Sequence, residues 1–149
     1  MKNLVKYSGK GLALTLFVAL VSLVSSGLTP ASAETTNCTP ITALPYTITA
    51  QGVYCLTHNL GTASTTGDAI RINASNVTID LNGYRLSNLA AGAGTNAKGI
   101  YAYQRKNITI RNGSIRGFLY GIHLSDTSPY TASSGHLVED IRADGNTFV

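Results

Sequence analysis

The sequence predicts an all-β solenoid, a chain wound into stacked coils, and three observations point to it. Residues 76–86 (NVTIDLNGYRL) return almost unchanged at 107–117 (NITIRNGSIRG), an offset of 31. Each copy alternates apolar and polar residues, the period of a strand with one buried face. Each also carries Asn-Gly, a pair that tolerates positive φ and so supplies a turn.

A third, eroded copy is expected at Asp140-Ile141-Arg142-Ala143-Asp144, 33 residues after the second. A companion pattern precedes each copy: Ala69-Ile70-Arg71-Ile72, Gly99-Ile100-Tyr101-Ala102 and Gly121-Ile122-His123-Leu124. Helix is disfavoured by the β-branched residues and by Gly and Asn spaced between short apolar runs. Asn-Gly alone would also suit antiparallel hairpins. Hairpin folds need not repeat a whole order of strand types, however, and this chain does. Repeats of about 30 residues that bury their apolar face by stacking on neighbours describe a solenoid.

Taking each repeat as one coil gives three coils, 67–96, 97–118 and 119–149, after an N-terminal cap segment at 34–66. Stacked strands lie about 4.8 Å apart, so equivalent residues form columns. The expected inward columns are Val77/Ile108/Ile141, Ile79/Ile110/Ala143 and Ile70/Ile100/Ile122. The expected outward columns are Arg71/Tyr101/His123 and Asp80/Arg111/Asp144.

The N-terminus reads as a secretory signal peptide over residues 1–33. Lys2, Lys6 and Lys10 precede the apolar run 12–24, and Ala31-Ser32-Ala33 offers the small-residue cleavage site. The run is short for a bilayer span of about 20 residues, so no stable membrane insertion is expected after cleavage. The formal charge is +4 for the 149 residues. Three of those charges are the signal lysines, which leaves +1 for the remainder and no clustered basic surface for nucleic acid. An exported, periplasmic or extracellular protein meets an oxidising compartment, where the only two cysteines, Cys38 and Cys55, are expected to form a disulfide. Two thiols without further ligands make a poor metal set.

The phrases NVTIDLNGYRL and GIYAYQRKNITIRNGSIRGFLYGIHL resemble the right-handed parallel β-helix repeats of the pectate-lyase-like superfamily. LPYTITAQGVYCLTHNL resembles the segment that leads into such helices in secreted bacterial proteins. The resemblance implies a right-handed parallel β-helix of about three coils. It implies no single activity, because the scaffold carries lyases, hydrolases, epimerases, tailspikes and non-catalytic modules. The calcium-binding acids and the arginine motif of the lyases are not visible, so calcium enters only if the chain is lyase-like, and no cofactor is otherwise expected. Gly135-His136-Leu137 supplies two of the three residues of the polygalacturonase Gly-His-Gly motif, and the epimerase Asp-Pro-His-Asp motif is absent.

The functional expectation is therefore a module with a polysaccharide-binding surface and no complete catalytic site. Aromatic faces beside charged groups hold sugars, which nominates Arg71, Tyr101, His123 and, in the insertion 125–135, Tyr130. Should the chain be a carbohydrate lyase, hydrolase or epimerase, Arg111, His123 and Asp144 are the weak catalytic candidates. A structural or adhesive surface module is the third reading. His58, His123 and His136 lack metal-ligand spacing, and the N-x-[ST] matches at Asn37, Asn73, Asn76, Asn107 and Asn112 are cheap in so Asn- and Thr-rich a chain. The last residues, 145–149, fall partway through a coil without a cap. A truncated member or N-terminal piece of a longer pattern is expected, with self-association through the uncapped coil.

Overall fold

A computed structural model describes residues 35–148. The signal-peptide expectation at 1–33 lies outside those residues. Eleven strands follow in order: β1 (Thr39–Ile41), β2 (Tyr46–Ile48), β3 (Gly52–Leu56), β4 (Leu60–Gly61), β5 (Asp68–Ile72), β6 (Val77–Asp80), β7 (Arg85–Ser87), β8 (Lys98–Tyr103), β9 (Ile108–Arg116), β10 (Tyr120–Ser125) and β11 (Leu137–Asp144). A single 3-10 turn, Leu89–Ala91, interrupts them.

Every strand pairing is parallel. One sheet runs β1-β3-β6-β9-β7-β4 with β11 against β9, and a second runs β10-β8-β5-β2. Parallel neighbours 15 to 31 residues apart cannot be hairpins, since a parallel pair needs a crossover. The chain is a β-solenoid of about four turns, which begin at β2, β5, β8 and β10. The fourth turn comes from residues 46–61: the segment expected to lead into the coils forms a turn in register with them, through Tyr46↔Ile70 and Tyr54↔Ile79.

The interior is built from columns. Ile70, Ile100 and Ile122 stack as expected; Val77 lies on Ile108, and Ile79 on Ile110. These isoleucines, apart from Ile122, are 0% exposed, and each buried side chain of that size contributes about 1.5–3 kcal/mol. A third wall stacks Leu60, Leu86 and Ile115.

The last turn corrects the expected register. Ile141 pairs with Gly113 rather than Ile108, and Ala143 lies on Ile115 rather than Ile110, whose partner is Val138. Asp144 accordingly faces Arg116, and the residue that continues the Asp80/Arg111 column is Glu139. The cause is turn chemistry. Asn76 and Asn107 occupy the left-handed region at φ 56° and 55°, and Gly135, not Asp140, takes the matching corner at φ 71°. A side chain there would also collide with the Asn107 amide oxygen. Asp140, at φ 50°, instead occupies the second left-handed corner, that of Asn112 at φ 59°.

Candidate functional site

The outer face of the second sheet carries the densest chemistry, because its strands bend. Ala69, Gly99 and Gly121 each precede an inward isoleucine. A Cβ on Gly99 would point at the core, 3.0 Å from Ile115 and 3.2 Å from Phe118. Two consecutive inward residues leave positions i and i+3 on the same outer face. Each turn therefore presents a pair: Asp68 with Arg71, Lys98 with Tyr101, and Tyr120 with His123.

Stacking the turns brings these pairs into two columns. Arg71, Tyr101 and His123 are register partners, as are Asp68, Lys98 and Tyr120. The expected outward column is thus real, and the structure places a second beside it. The Arg71 guanidinium carbon lies 5.1 Å from the centroid of the Tyr101 ring, and Lys98 Nζ lies 4.6 Å from it. Tyr101 meets His123 at 5.4 Å, His123 stacks on Tyr120 at 4.4 Å, and Tyr120 stacks on Phe148 at 5.0 Å. Aromatic and cation–π contacts of this kind contribute about 0.5–1.5 kcal/mol each.

Asp68 anchors the cations from beneath, with its side chain only 3% exposed, 2.6 Å from Arg71 Nη2 and 3.7 Å from Lys98 Nζ. Its Oδ1 and the His123 Nδ1 are both buried without a hydrogen-bond partner. Burial, then the positive charge of Lys98, pushes the His123 imidazole below its ordinary pKa, and Asp68 offsets this only in part. The neutral ring that results is the form suited to lie against Tyr120.

Tyr130 stands apart from the columns, at the tip of the 126–135 loop and 72% exposed. The loop is ordered by Asp126, whose carboxylate accepts from the backbone N–H groups of Thr127, Ala132 and Ser133. Thr127 Oγ1 lies 3.3 Å from the Tyr103 hydroxyl and accepts from Gln104, which ties the loop to the edge of the same face. Tyr103 is 40% exposed. Ring faces open to solvent are therefore those of Tyr103, Tyr130 and Phe148, whereas Tyr120 and His123 cover one another.

The weak catalytic candidates are not brought together. Arg111 belongs to the first sheet and donates to Asp80, His123 lies in the second, and Asp144 accepts from Arg142 at 2.6 Å. The Asp80/Arg111 column is expected to face outward, yet Asp80 is 2% exposed. It accepts from Thr35 Oγ1, Asn82 N–H, Arg111 Nε and Asn112 Nδ2. Burial opposes its ionisation, but those four donors hold the carboxyl below the usual carboxylate range. Beside it the Cys38–Cys55 disulfide is formed, with the two Cα atoms 5.8 Å apart.

One constellation escaped the sequence: Ser133 Oγ lies 2.8 Å from His136 Nε2. It resembles a nucleophile and its base, but the other ring nitrogen decides the matter. The Ile108 N–H donates to His136 Nδ1 at 3.3 Å, and burial keeps the ring neutral. By this hydrogen-bond network the ring proton lies on Nε2, which donates to Ser133 instead of accepting from it. The hydroxyl is not activated. Among the described residues no group of three or more His, Cys, Asp or Glu is placed to hold a metal ion. Nor is any helix among them long and apolar enough to cross a membrane. Depressions of about 200 and 290 Å³ lie elsewhere, against the 92–95 loop and beside the disulfide.

Lys98, Tyr120 and Phe148 were missed in the sequence because strict alternation assigns Lys98 and Tyr120 to the inward parity of Ile100 and Ile122. The recurring small residue before each isoleucine was the available signal. In comparisons with known proteins, the chain matches no family model, no curated protein and no solved structure.

Proposed function

We propose that this chain is an exported module of the right-handed, pectate-lyase-like β-helix type that holds a polysaccharide along the outer face of its second sheet. One observation carries the reading: Arg71, Tyr101 and His123 form a continuous outward column flanked by Lys98, Tyr120 and Phe148. Turns repeat along the solenoid as sugar units repeat along a chain, so each turn offers its own outward pair to a successive unit. Arg71, with about half of its side chain exposed, and Lys98, with 28% exposed, offer donors to hydroxyl or carboxylate oxygens. Exposed rings at Tyr103, Tyr130 and Phe148 offer apolar faces to pyranose C–H groups. The formed disulfide is compatible with export.

The separation of Arg111, His123 and Asp144 and the unactivated Ser133 support binding without turnover. Affinity electrophoresis through gels holding acidic or neutral polysaccharides tests this. Retardation by at least one of them is expected, weakened about tenfold by Tyr101→Ala and by Tyr130→Ala to a smaller degree. Unretarded migration on every gel would refute the binding surface. Unsaturated products absorbing in the ultraviolet, with or without calcium, would show a lyase instead.

A further inference from the structure

The outer face of the third wall carries a group of cations that the second-sheet face does not use. Leu86, Ile115 and Ala143 stack inward there, so the residues on either side of each point outward. Two outward columns result: Arg85, Ser114 and Arg142, and beside them Gly61, Ser87, Arg116 and Asp144. Ser114 is thus flanked on three sides. Arg85 lies in the turn before it and Arg142 in the turn after, each about 4.8 Å away across the sheet. Arg116 lies two residues along the same strand, roughly 6.6 Å away. An arginine side chain spans either distance, so three guanidinium groups can converge on one group seated over the Ser114 hydroxyl.

The charges on this wall are not balanced. Asp144 is the one acid of the two columns, and its carboxylate accepts from Arg142 Nε at 2.6 Å. Among the described residues, Arg85 and Arg116 enter no ion pair. The Arg116 Nε is moreover buried without a protein acceptor, and a buried N–H of a cation is costly to leave unsatisfied. Three guanidinium groups against one carboxylate leave two positive charges in excess. That excess matches inorganic phosphate or a phosphate monoester, which carries roughly −1.5 to −2 near neutral pH. A carboxylate carries less charge and lacks a third oxygen for donors that arrive from three directions. Three arginines about one hydroxyl make a single seat, not the row of contacts that a nucleic-acid backbone takes.

We propose that Arg85, Ser114, Arg116 and Arg142 form a phosphate-binding site on the third wall. The Ser114 hydroxyl and Arg116 Nε donate to the phosphate oxygens, and Arg85 and Arg142 close over it from the turns on either side. The ligand is a phosphate group, either free or carried as a monoester on a larger molecule. The site lies on a different wall from the polysaccharide face and does not depend on it.

Heteronuclear NMR of the purified protein, titrated with inorganic phosphate or with glycerol phosphate, tests the site. The Arg116 Nε–H resonance is expected to shift saturably with both. Tighter binding of glycerol phosphate would identify a carried group as the source and tighter binding of inorganic phosphate the free ion; either supports the site. Arg116→Gln should weaken binding about tenfold or more, read from the Arg85 and Arg142 resonances. Ser114→Asp, which sets a carboxylate in the seat, should abolish it. Lys106→Gln removes one exposed positive charge outside this wall and should leave binding unchanged. An unchanged far-ultraviolet strand spectrum confirms that the variants fold. No saturable shift with either ligand, equal displacement by acetate at the same ionic strength, or equal losses in Arg116→Gln and Lys106→Gln would each overturn the proposal.

Discussion

Asp80 and Arg111 are partners across adjacent turns, with Arg111 Nε donating to Asp80 Oδ2 at 3.0 Å, yet the two side chains live in different surroundings: 3% of one is exposed and 40% of the other. The burden of the pair therefore falls on the carboxylate, which also gathers Thr35, Asn82 and Asn112. Asp80→Ala leaves several donors unsatisfied and should cost about 2–4 kcal/mol. Arg111→Ala removes one of four donors and frees a half-exposed cation, so it should cost about 1 kcal/mol or less. Urea denaturation of both variants checks the asymmetry; equal losses would place the energy in the ion pair itself.

Acid should destabilise the fold in two steps. The His123 and His136 imidazoles have folded-state pKa values below their unfolded ones, so the unfolded chain takes up protons first, near pH ~6.5. Their contribution is complete above that pH and is lost as the pH falls through the folded values. Asp80, whose folded pKa is also depressed, contributes above pH ~4 and loses its contribution below. Urea midpoints from pH 8 downward should thus stay level, decline from about pH 7 and decline again below about pH 4. His123→Gln with His136→Gln should flatten the first step alone. A midpoint that rose as the pH fell from about 7 to 5 would mean that folding raises the histidine pKa values instead of lowering them.

Much of this molecule is legible in its sequence because a solenoid's tertiary contacts follow from its repeat. Once NVTIDLNGYRL and NITIRNGSIRG are aligned, Val77 on Ile108, Ile79 on Ile110 and Asp80 on Arg111 follow from counting alone, and all three hold. What failed was the third copy, where apolar content was matched in place of conformation. Ile141 looks like Ile108, but the chain must first turn through a left-handed corner, and Gly135 is the residue that does so. The binding-face columns were half legible for a related reason: alternation cannot see a strand that sends Gly99 and Ile100 inward together. The covering of Asp80 depends on Thr35, 45 residues away, and no local pattern announces that.

The disulfide should matter most to the first turn. It closes a loop between residues 17 apart and fastens β1 along β3, where Pro40 is the register partner of Cys55. A loop of that size corresponds to about 3 kcal/mol of chain entropy removed from the unfolded state. Cys38→Ser with Cys55→Ser, or the wild type with a dithiol reductant, should lose about 2–4 kcal/mol in urea. Hydrogen exchange should accelerate first in residues 39–56 and leave β8 and β9 protected. Uniform acceleration would mean that the turns unfold together.

Gly99 links the core to the proposed binding face, so its substitution should register in both. A Cβ there would collide with the carbonyl oxygen of Gly121 and press on Ile115 and Phe118, at 3.0 and 3.2 Å. The carbonyl is part of the β10 backbone and cannot swing away as a flexible side chain would, so β8 and β10 must part. Overpacking of this kind costs about 1–3 kcal/mol. The same displacement separates Lys98 from Tyr120 and Tyr101 from His123, the register partners of the outward columns. Gly99→Ala should therefore lower the urea midpoint and weaken polysaccharide retardation together, whereas Gly67→Ala, at a site with open space but positive φ, should lower the midpoint and leave retardation unchanged. If Gly99→Ala proved harmless to both, the inward bend of β8 would be wrong, and with it the assignment of Lys98 and Tyr101 to one face.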